Sequence, residues 1–291
     1  MSCWSQATNW FQLAQFWSTI RFILPDVICR FEKDRDSSRC DLTIVASFRF
    51  YAELNDFLPR ERRQRDVRHE FAVAPAVKDV IEAFGVPHTE VDLVLVGGEP
   101  VDFSHRVADG DRISVYPVFE AFDVATVNRS LRPTPLRDPR FVADVHLGTL
   151  ARYLRLLGFD TRFDPAWDDD RLAAISVNER RVLLTRDRGL LKRRVVTHGV
   201  FVRDEAPREQ VVDVVRRLHL ADRLRPFTRC MACNGALETV DKEEIADRLE
   251  PRTRRDFNRF RRCPDCGRLY WEGSHHARLA ALVEHVRERG A

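Results

Sequence analysis

The sequence lacks several features that mark whole classes of protein. No apolar run is long enough to cross a membrane, because the aromatic-rich patch from Trp10 to Cys29 is interrupted by polar residues and Pro25. It has no basic leader of the kind that begins a secretory signal. Its seven cysteines do not form a disulfide framework, since four fall in two Cys-x-x-Cys pairs and the others are scattered. We therefore expect a cytoplasmic protein without a membrane span.

Lysine is also scarce, with 4 lysines against 44 arginines, and the charge is uneven along the chain. Residues 41–123 carry 9 basic and 16 acidic side chains, whereas residues 124–291 carry 34 basic and 25 acidic ones. The C-terminal part thus has the basic character of a protein that contacts a polyanion. A genome rich in arginine codons would give the same composition.

Changes in composition and hydrophobic pattern divide the 291 residues into five segments. We expect, in order, a poorly ordered extension (1–40), a small domain (41–120), a linker rich in proline and arginine (121–140), an α/β domain (141–225), and a metal-binding ribbon with a C-terminal helix (226–291).

The small domain shows the pattern strand, strand, helix, strand, strand. Apolar and polar residues alternate from Leu42 to Phe50, and a helical face runs from Val77 to Phe84. This order resembles the β-grasp (ubiquitin-like) fold, and the motifs Phe48–Leu54 and Asp109–Ile113 resemble small sulfur-carrier proteins. Those carriers end in an exposed Gly-Gly, whereas here the last strand continues into more protein, so we do not carry over their chemistry. We expect a docking or regulatory module that recruits a protein partner.

From Phe141 onward, short apolar runs alternate with helical patterns, which predicts a parallel sheet with right-handed crossovers. Two of the runs end in an acid, Asp144 and Asp187, and Asp169 opens the helix between them. The carboxyl ends of parallel strands share one edge, where ligands bind. Each aspartate alone could be a helix cap or a turn residue. Together they would repel each other unless a magnesium or manganese ion lay between them.

Such a site suits phosphodiester hydrolysis, because a bound cation lowers the pKa of water and neutralises charge on the phosphate. Arginines close to the acids in the sequence are candidates for holding neighbouring phosphates. These RNA-binding candidates are Arg152, Arg155 and Arg186.

The two cysteine pairs, Cys230/Cys233 and Cys263/Cys266, predict a structural zinc ribbon, since four thiolates at this spacing suit tetrahedral zinc. The alternative of two redox dithiols lacks the strand-to-helix setting of a thioredoxin.

Arginines and aromatic residues interleave between the cysteine pairs. Arg255, Arg259 and Arg262 alternate there with Phe257 and Phe260, a composition that suits single-stranded RNA. A solvated helix face over two core phenylalanines is the alternative interpretation.

These motifs resemble one known family. Phe141–Asp160 around the first acid, Leu183–Leu191 around the last acid, and Tyr270–His275 after the cysteines resemble the Mut-seven C-terminal RNase domain, a PIN-like nuclease. An N-terminal ubiquitin-like module is a known arrangement for it.

The resemblance implies catalytic, metal-binding roles for Asp144, Asp169 and Asp187, although Asp168 and Asp170 leave the register of Asp169 open by one residue. Our hypothesis is a metal-dependent ribonuclease acting at a magnesium or manganese site. The alternative is a non-catalytic RNA-binding or adaptor protein.

Overall fold

A computed structural model describes residues 43–117 and 139–290 of the chain. The predictions for residues 1–40 and for most of the linker 121–140 lie outside the described residues. None of the described helices is long and apolar enough to cross a membrane.

The first part of the chain forms a five-stranded sheet covered by one helix, which confirms the predicted β-grasp fold. The strand order is β2-β1-β5-β3-β4, in which β1 and β5 pair in parallel and the other neighbouring strands pair antiparallel. The elements are β1 (Ile44–Phe50), β2 (Val67–Phe71), α1 (Val77–Ala83), β3 (Val91–Val96), β4 (Glu99–Val101) and β5 (Arg112–Pro117).

Alternation of side chains along β1 builds the core of this β-grasp domain. Ala46, Phe48 and Phe50 point inward and are buried, and they pack with α1. Strand β4 was not predicted, because it is only three residues long. It follows Gly97 and Gly98, whose φ angles of +59° and +96° permit a tight hairpin turn.

The α/β domain begins at Phe141 and contains a four-stranded sheet, entirely parallel, in the order β7-β6-β8-β9. This confirms the predicted fold class. The elements are β6 (Phe141–Ala143), α2 (Gly148–Leu156), β7 (Thr161–Arg162), α3 (Asp169–Asn178), β8 (Val182–Thr185), α4 (Arg188–Leu191), β9 (Gly199–Phe201) and α5 (Pro207–Arg217).

Both faces of this parallel sheet are buried, which is why its strands read as uninterrupted apolar runs. Phe141 and Leu184 face the side covered by α2 and α5, whereas Val142 and Leu183 face the side covered by α3 and α4. The result is a three-layer arrangement with the sheet in the middle.

The rest of the chain forms a small antiparallel sheet and a long final helix. The elements are β10 (Glu238–Val240), α6 (Pro251–Asp256), β11 (Phe260–Arg262), β12 (Leu269–Trp271) and α7 (Ser274–Arg289). Sequence analysis grouped the final helix with the ribbon. In the structure α7 packs against α5, and Leu282, Val283 and Val286 are buried in the core of the α/β domain.

Candidate functional site

The candidate site lies at the carboxyl ends of β6 and β8. From β6 the chain passes through α2 to β7 on one side, and then through α3 to β8 on the other side. Adjacent strands whose connections leave in opposite directions leave a crevice between them, which is where open α/β sheets bind ligands. Asp144 directly follows β6, and Asp187 follows β8 by one residue.

Asp144 is a buried carboxylate, with 6% of its surface exposed. Its backbone N–H donates to the carbonyl of Leu184 at 3.0 Å, and its Oδ2 accepts a hydrogen bond from the Thr185 hydroxyl at 2.6 Å. It precedes a short 3-10 turn, but its side chain makes no capping bond there. Helix capping therefore does not account for this acid, and a buried charge needs a partner.

Thr185 joins the two acids. Its Oγ1 donates to Asp144 and also accepts from the backbone N–H of Asp187 at 2.9 Å, and the residue is fully buried. Thr185 was not among the site residues predicted from the sequence. The available signal was a polar side chain at the end of an apolar strand and two residues before an acid.

Asp187 is exposed and caps the short helix α4. Its Oδ1 accepts from the N–H of Gly189 at 2.6 Å. That bond uses one carboxylate oxygen, so capping and cation binding are compatible roles for this residue.

Asp169 is the first residue of α3 but does not cap it. The cap is Asp168, whose Oδ1 accepts from the N–H of Arg171 at 2.8 Å. This corrects the alternative in which Asp169 capped the helix. Asp169 is about half exposed, at 48%, and its Oδ2 lies 3.6 Å from Arg193 Nη2. Arg193 also forms an ion pair with Asp170.

The three aspartates do not converge on a single point. Within residues 43–117 and 139–290, the one group of three or more ligating side chains with all ligand atoms within 4.8 Å comprises the four cysteines. The structure thus links Asp144 to Asp187 through Thr185 and leaves Asp169 paired with arginine. The assignment of all three acids to a metal stays a prediction.

The four cysteines come together as the spacing predicts. Cys230 and Cys263 are buried, Cys233 and Cys266 are exposed, and the Sγ–Sγ distances across the group include 3.3 and 3.6 Å. Four thiolates about 2.3 Å from one zinc ion would lie about 3.8 Å apart in a tetrahedron. The donor set and its size therefore fit a structural zinc ion.

Local bonding favours the thiolate form of Cys230. Burial acts against its charge, but the Tyr270 hydroxyl, 3.0 Å from the sulfur, and nearby backbone N–H groups lower the pKa of Cys230 to about 6. Gly235 follows the first pair, and a side chain there would collide with Cys263 Sγ, 2.9 Å from its Cβ position. The left-handed turn itself is made by Asn234, with φ of +75°.

The first cysteine turn is docked onto the α/β domain. Asn234 Oδ1 accepts from the N–H of Thr161 on edge strand β7 at 2.9 Å, and its Nδ2 donates to Asp160 Oδ1 at 2.8 Å. Burial acts against the charged form of Asp160, but hydrogen bonds from Arg181 and Asn234 hold the pKa of its carboxyl below the ordinary value. The four-cysteine ribbon and the sheet therefore share one hydrogen-bond network.

Arg155 belongs to the same junction, which corrects its predicted role in RNA contact. Its side chain is buried, its Nε donates to Thr161 O at 2.8 Å, and its Nη1 donates to Ala232 O at 2.7 Å. Burial lowers the pKa of Arg155. A guanidinium committed to backbone carbonyls in the interior is not available to a phosphate.

The other predicted RNA-contact arginines are at least partly accessible. Arg152 and Arg259 are exposed. Arg186 donates to Asp204 O at 3.0 Å, Arg255 pairs with Asp256 at 2.7 Å, and Arg262 lies 3.7 Å from Glu244.

The ribbon offers a different aromatic residue from the two predicted, Phe257 and Phe260. Phe257 is partly buried against the core of the ribbon. Phe260 is buried in the core of the ribbon with Val240 and Ile245, so the core interpretation holds for it. Trp271, on edge strand β12, is 40% exposed and lines a shallow hollow of about 380 Å³ together with Arg268. Its exposure could not be read from the sequence, because it depends on which strand forms the edge.

Fold and site together define a class: an α/β domain with acids at the crevice of a parallel sheet, followed by a four-cysteine ribbon. Comparison with family models identifies the same class of protein. The Mut7-C RNAse domain matches residues 139–283, and the Mut7-C ubiquitin domain matches residues 43–123. The chain therefore carries a Mut7-C ubiquitin-like domain followed by a Mut7-C RNAse domain, as the sequence motifs predict. No curated protein and no solved structure matches the chain.

Proposed function

We propose that this protein is a cytoplasmic metal-dependent ribonuclease whose site is formed by Asp144 and Asp187, with Asp169 as the third acid. The observation that carries the proposal is the pair of acids at the sheet crevice, joined by the hydroxyl of Thr185. The match to an RNAse domain supports the same conclusion. The four cysteines support a structural zinc ion.

In this proposal the residues of the chain hold the cation and fix its position. Asp144 presents a buried carboxylate fixed by Thr185, and Asp187 presents an exposed one fixed by its helix. Magnesium or manganese, when bound, supplies an activated water and neutralises charge on the phosphate. Arg152, exposed on α2, is suited to a neighbouring phosphate.

The proposed substrate is single-stranded RNA. Bases that are not paired can stack on an exposed indole, and arginines beside it can pair with the backbone phosphates. Trp271 and Arg268, beside one hollow of the zinc ribbon, have this composition. They replace Phe260 as the proposed stacking surface.

The test is cleavage of labelled single-stranded RNA by the full chain with manganese and with EDTA. Asp144→Asn and Asp187→Asn should each abolish cleavage while leaving the zinc content and the melting temperature unchanged. Asp204→Asn is the matched control, since Asp204 is an exposed acid just beyond β9, and it should cleave like the wild type.

The contradicting result is cleavage that survives in both variants, or no cleavage by the wild type with any RNA tested. Either result would leave the adaptor alternative, in which the domain binds RNA without turnover. Retained RNA binding without cleavage would support that alternative directly.

A further inference from the structure

The β-grasp domain covers one edge of the α/β sheet. The N–H of Phe201, on edge strand β9, donates to Glu90 Oε1 at 2.6 Å. Glu90 is only 1% exposed, and its other oxygen forms ion pairs with Arg217 and, at 3.5 Å, with Arg203. A buried carboxylate with this many partners marks a built interface, since an unpaired buried charge is costly.

The same interface holds helix α4 at both ends. Its first residue, Arg188, lies with its guanidinium carbon 5.1 Å from the ring centre of Phe57 and 5.3 Å from that of Phe201. Its Nη1 also lies 3.4 Å from the carbonyl oxygen of Phe57. After the helix, Lys192 Nζ donates to Glu82 O at 2.5 Å.

Helix α4 is four residues long, and a helix of this length does not hold itself together in water. Asp187 is its N-cap, so the position of that carboxylate follows the position of the helix. Its Leu190 and Leu191 are buried in the core of the α/β domain, and three further contacts come from the β-grasp domain: the Phe57 ring, the Phe57 carbonyl and the Glu82 carbonyl.

We propose that the β-grasp domain positions the nuclease site of its own chain: Phe57 holds Arg188, and Arg188 holds α4 and the Asp187 carboxylate. Phe57 and Arg188 are positioning residues in this scheme. The inference rests on the proposed function for its catalytic consequence. It assigns the module a partner within the chain, where sequence analysis expected it to recruit another protein.

The test uses Phe57→Leu, which keeps a buried apolar side chain but removes the ring, and Arg188→Met, which keeps the stem but removes the charge. Arg188→Lys, which restores a cation, should recover most of the effect. Arg49→Met is the matched control, because Arg49 lies over Tyr51 at 5.6 Å within the β-grasp domain and has a similar cation–π contact.

The first readout is hydrogen exchange at the Gly189 amide, which donates to Asp187. Phe57→Leu and Arg188→Met should each raise its exchange rate about three- to tenfold, the range for loss of a partly exposed cation–π contact. Arg188→Met should lie at the upper end, because it also removes the hydrogen bond to the Phe57 carbonyl, which leucine keeps. The double variant should exchange no faster than Arg188→Met alone, because both changes break one chain of contacts. The control should leave the rate unchanged.

The second readout is the manganese concentration that gives half-maximal RNA cleavage. Both variants should raise this concentration by a similar factor, and excess manganese should restore the rate. A merely destabilised protein would lose rate at every manganese concentration.

Unchanged exchange at Gly189 in both single variants, or additive effects in the double variant, would overturn the positioning role. If the wild type does not cleave RNA, the proposed function fails. The exchange comparison still decides whether the β-grasp domain fixes Asp187.

Discussion

At the scale of single residues, the hydroxyl of Thr185 has two partners and no freedom to exchange them. It donates to the carboxylate of Asp144 and accepts from the amide of Asp187, in a fully buried position. A hydrogen bond to a charged group in such surroundings is stronger than one between neutral groups. The orientation of Asp144 therefore depends on one oxygen atom.

We predict that Thr185→Val lowers the rate of RNA cleavage about 10- to 100-fold, corresponding to the roughly 1.5–3 kcal/mol of a hydrogen bond to a charged group. Valine has the same shape but no hydroxyl. Thr185→Ser, which keeps the hydroxyl, should stay within a few-fold of the wild type. Equal rates for the valine and serine variants, with both proteins folded, would show that the hydroxyl does not orient the site.

Arg155 shows that the sequence does not reveal which groups a side chain contacts in the fold. Its place on α2 beside Arg152 indicated an arginine face open to phosphate. Its actual partners include Met231 O and Ala232 O, more than 70 residues later in the chain. Arg152 and Arg155 look alike in the sequence, because a helical period shows which face a residue occupies but not what covers that face.

At the scale of secondary-structure elements, the turn at the first cysteine pair and strand β7 stabilise each other. Strand β7 is only two residues long, and its outer edge is completed by the side chain of Asn234, which is held in a left-handed turn directly after Cys233. Four hydrogen bonds cross this junction from Asn234 and Arg155.

We predict that removing zinc with a chelator destabilises the α/β domain as well as the ribbon. Four bonds at about 1 kcal/mol each amount to roughly 4 kcal/mol, or a fall in Tm of about 10 °C. The measurement is hydrogen exchange along β6 and β7, which lie outside the ribbon. Their amides should exchange faster once zinc has been removed.

Asn234→Gly is the matched variant for this prediction, because glycine keeps the positive φ and the zinc site but removes two of the bonds. It should show about half of the effect with zinc still bound. Unaltered exchange in β6 and β7 after zinc removal would mean that the two parts are energetically independent.

Element types could be predicted well from hydrophobic period alone. The short apolar runs Val91–Val96 and Val182–Thr185, each between clear breaks, predict strands with the bounds that β3 and β8 have in the structure. The run Phe159–Phe163 also predicts a strand, but only Thr161 and Arg162 pair with β6, and the N–H of Phe159 donates instead to Leu154 O in α2. Partners of that kind leave no trace in local sequence.

At the scale of the whole molecule, Glu90 connects the two domains. It sits in a 3-10 turn just before β3, and its carboxylate reaches both the backbone of β9 and two arginines of the α/β domain. Such a residue stabilises the two-domain unit only while all its partners remain in place.

We predict that Glu90→Gln lowers the free energy of unfolding by about 3 kcal/mol, because two arginines lose a buried counter-charge. Their second partners, Asp56 for Arg203 at 3.4 Å and Asp213 for Arg217 at 3.8 Å, replace it only in part. The glutamine side chain keeps an oxygen for the Phe201 amide, so the loss isolates the charge. Glu99→Gln, on the exposed edge strand β4, should change the value by less than about 0.5 kcal/mol. Urea denaturation of the full chain measures both; similar values for the two variants would contradict the prediction.

The identity of both domains could be predicted from sequence, but their association could not. His88 lies in the 3-10 turn that also contains Glu90, and Glu82 lies on α1; in the sequence both positions resemble surface. His88 Nε2 lies 2.9 Å from Val196 O and Glu82 O accepts from Lys192, so both are interface residues. A pattern of polar residues does not distinguish solvent from a polar interface.

Both open edges of the parallel sheet are closed by a side chain from a neighbouring part of the chain: Asn234 on β7 and Glu90 on β9. Unpaired strand edges invite pairing with another molecule and are the usual starting point of sheet-driven aggregation. The ribbon and the β-grasp domain therefore also protect the two edge strands from pairing with another molecule. An α/β domain produced without either part would expose an unpaired strand at each edge of its sheet. Each of these strands could pair with a strand of another molecule and start aggregation.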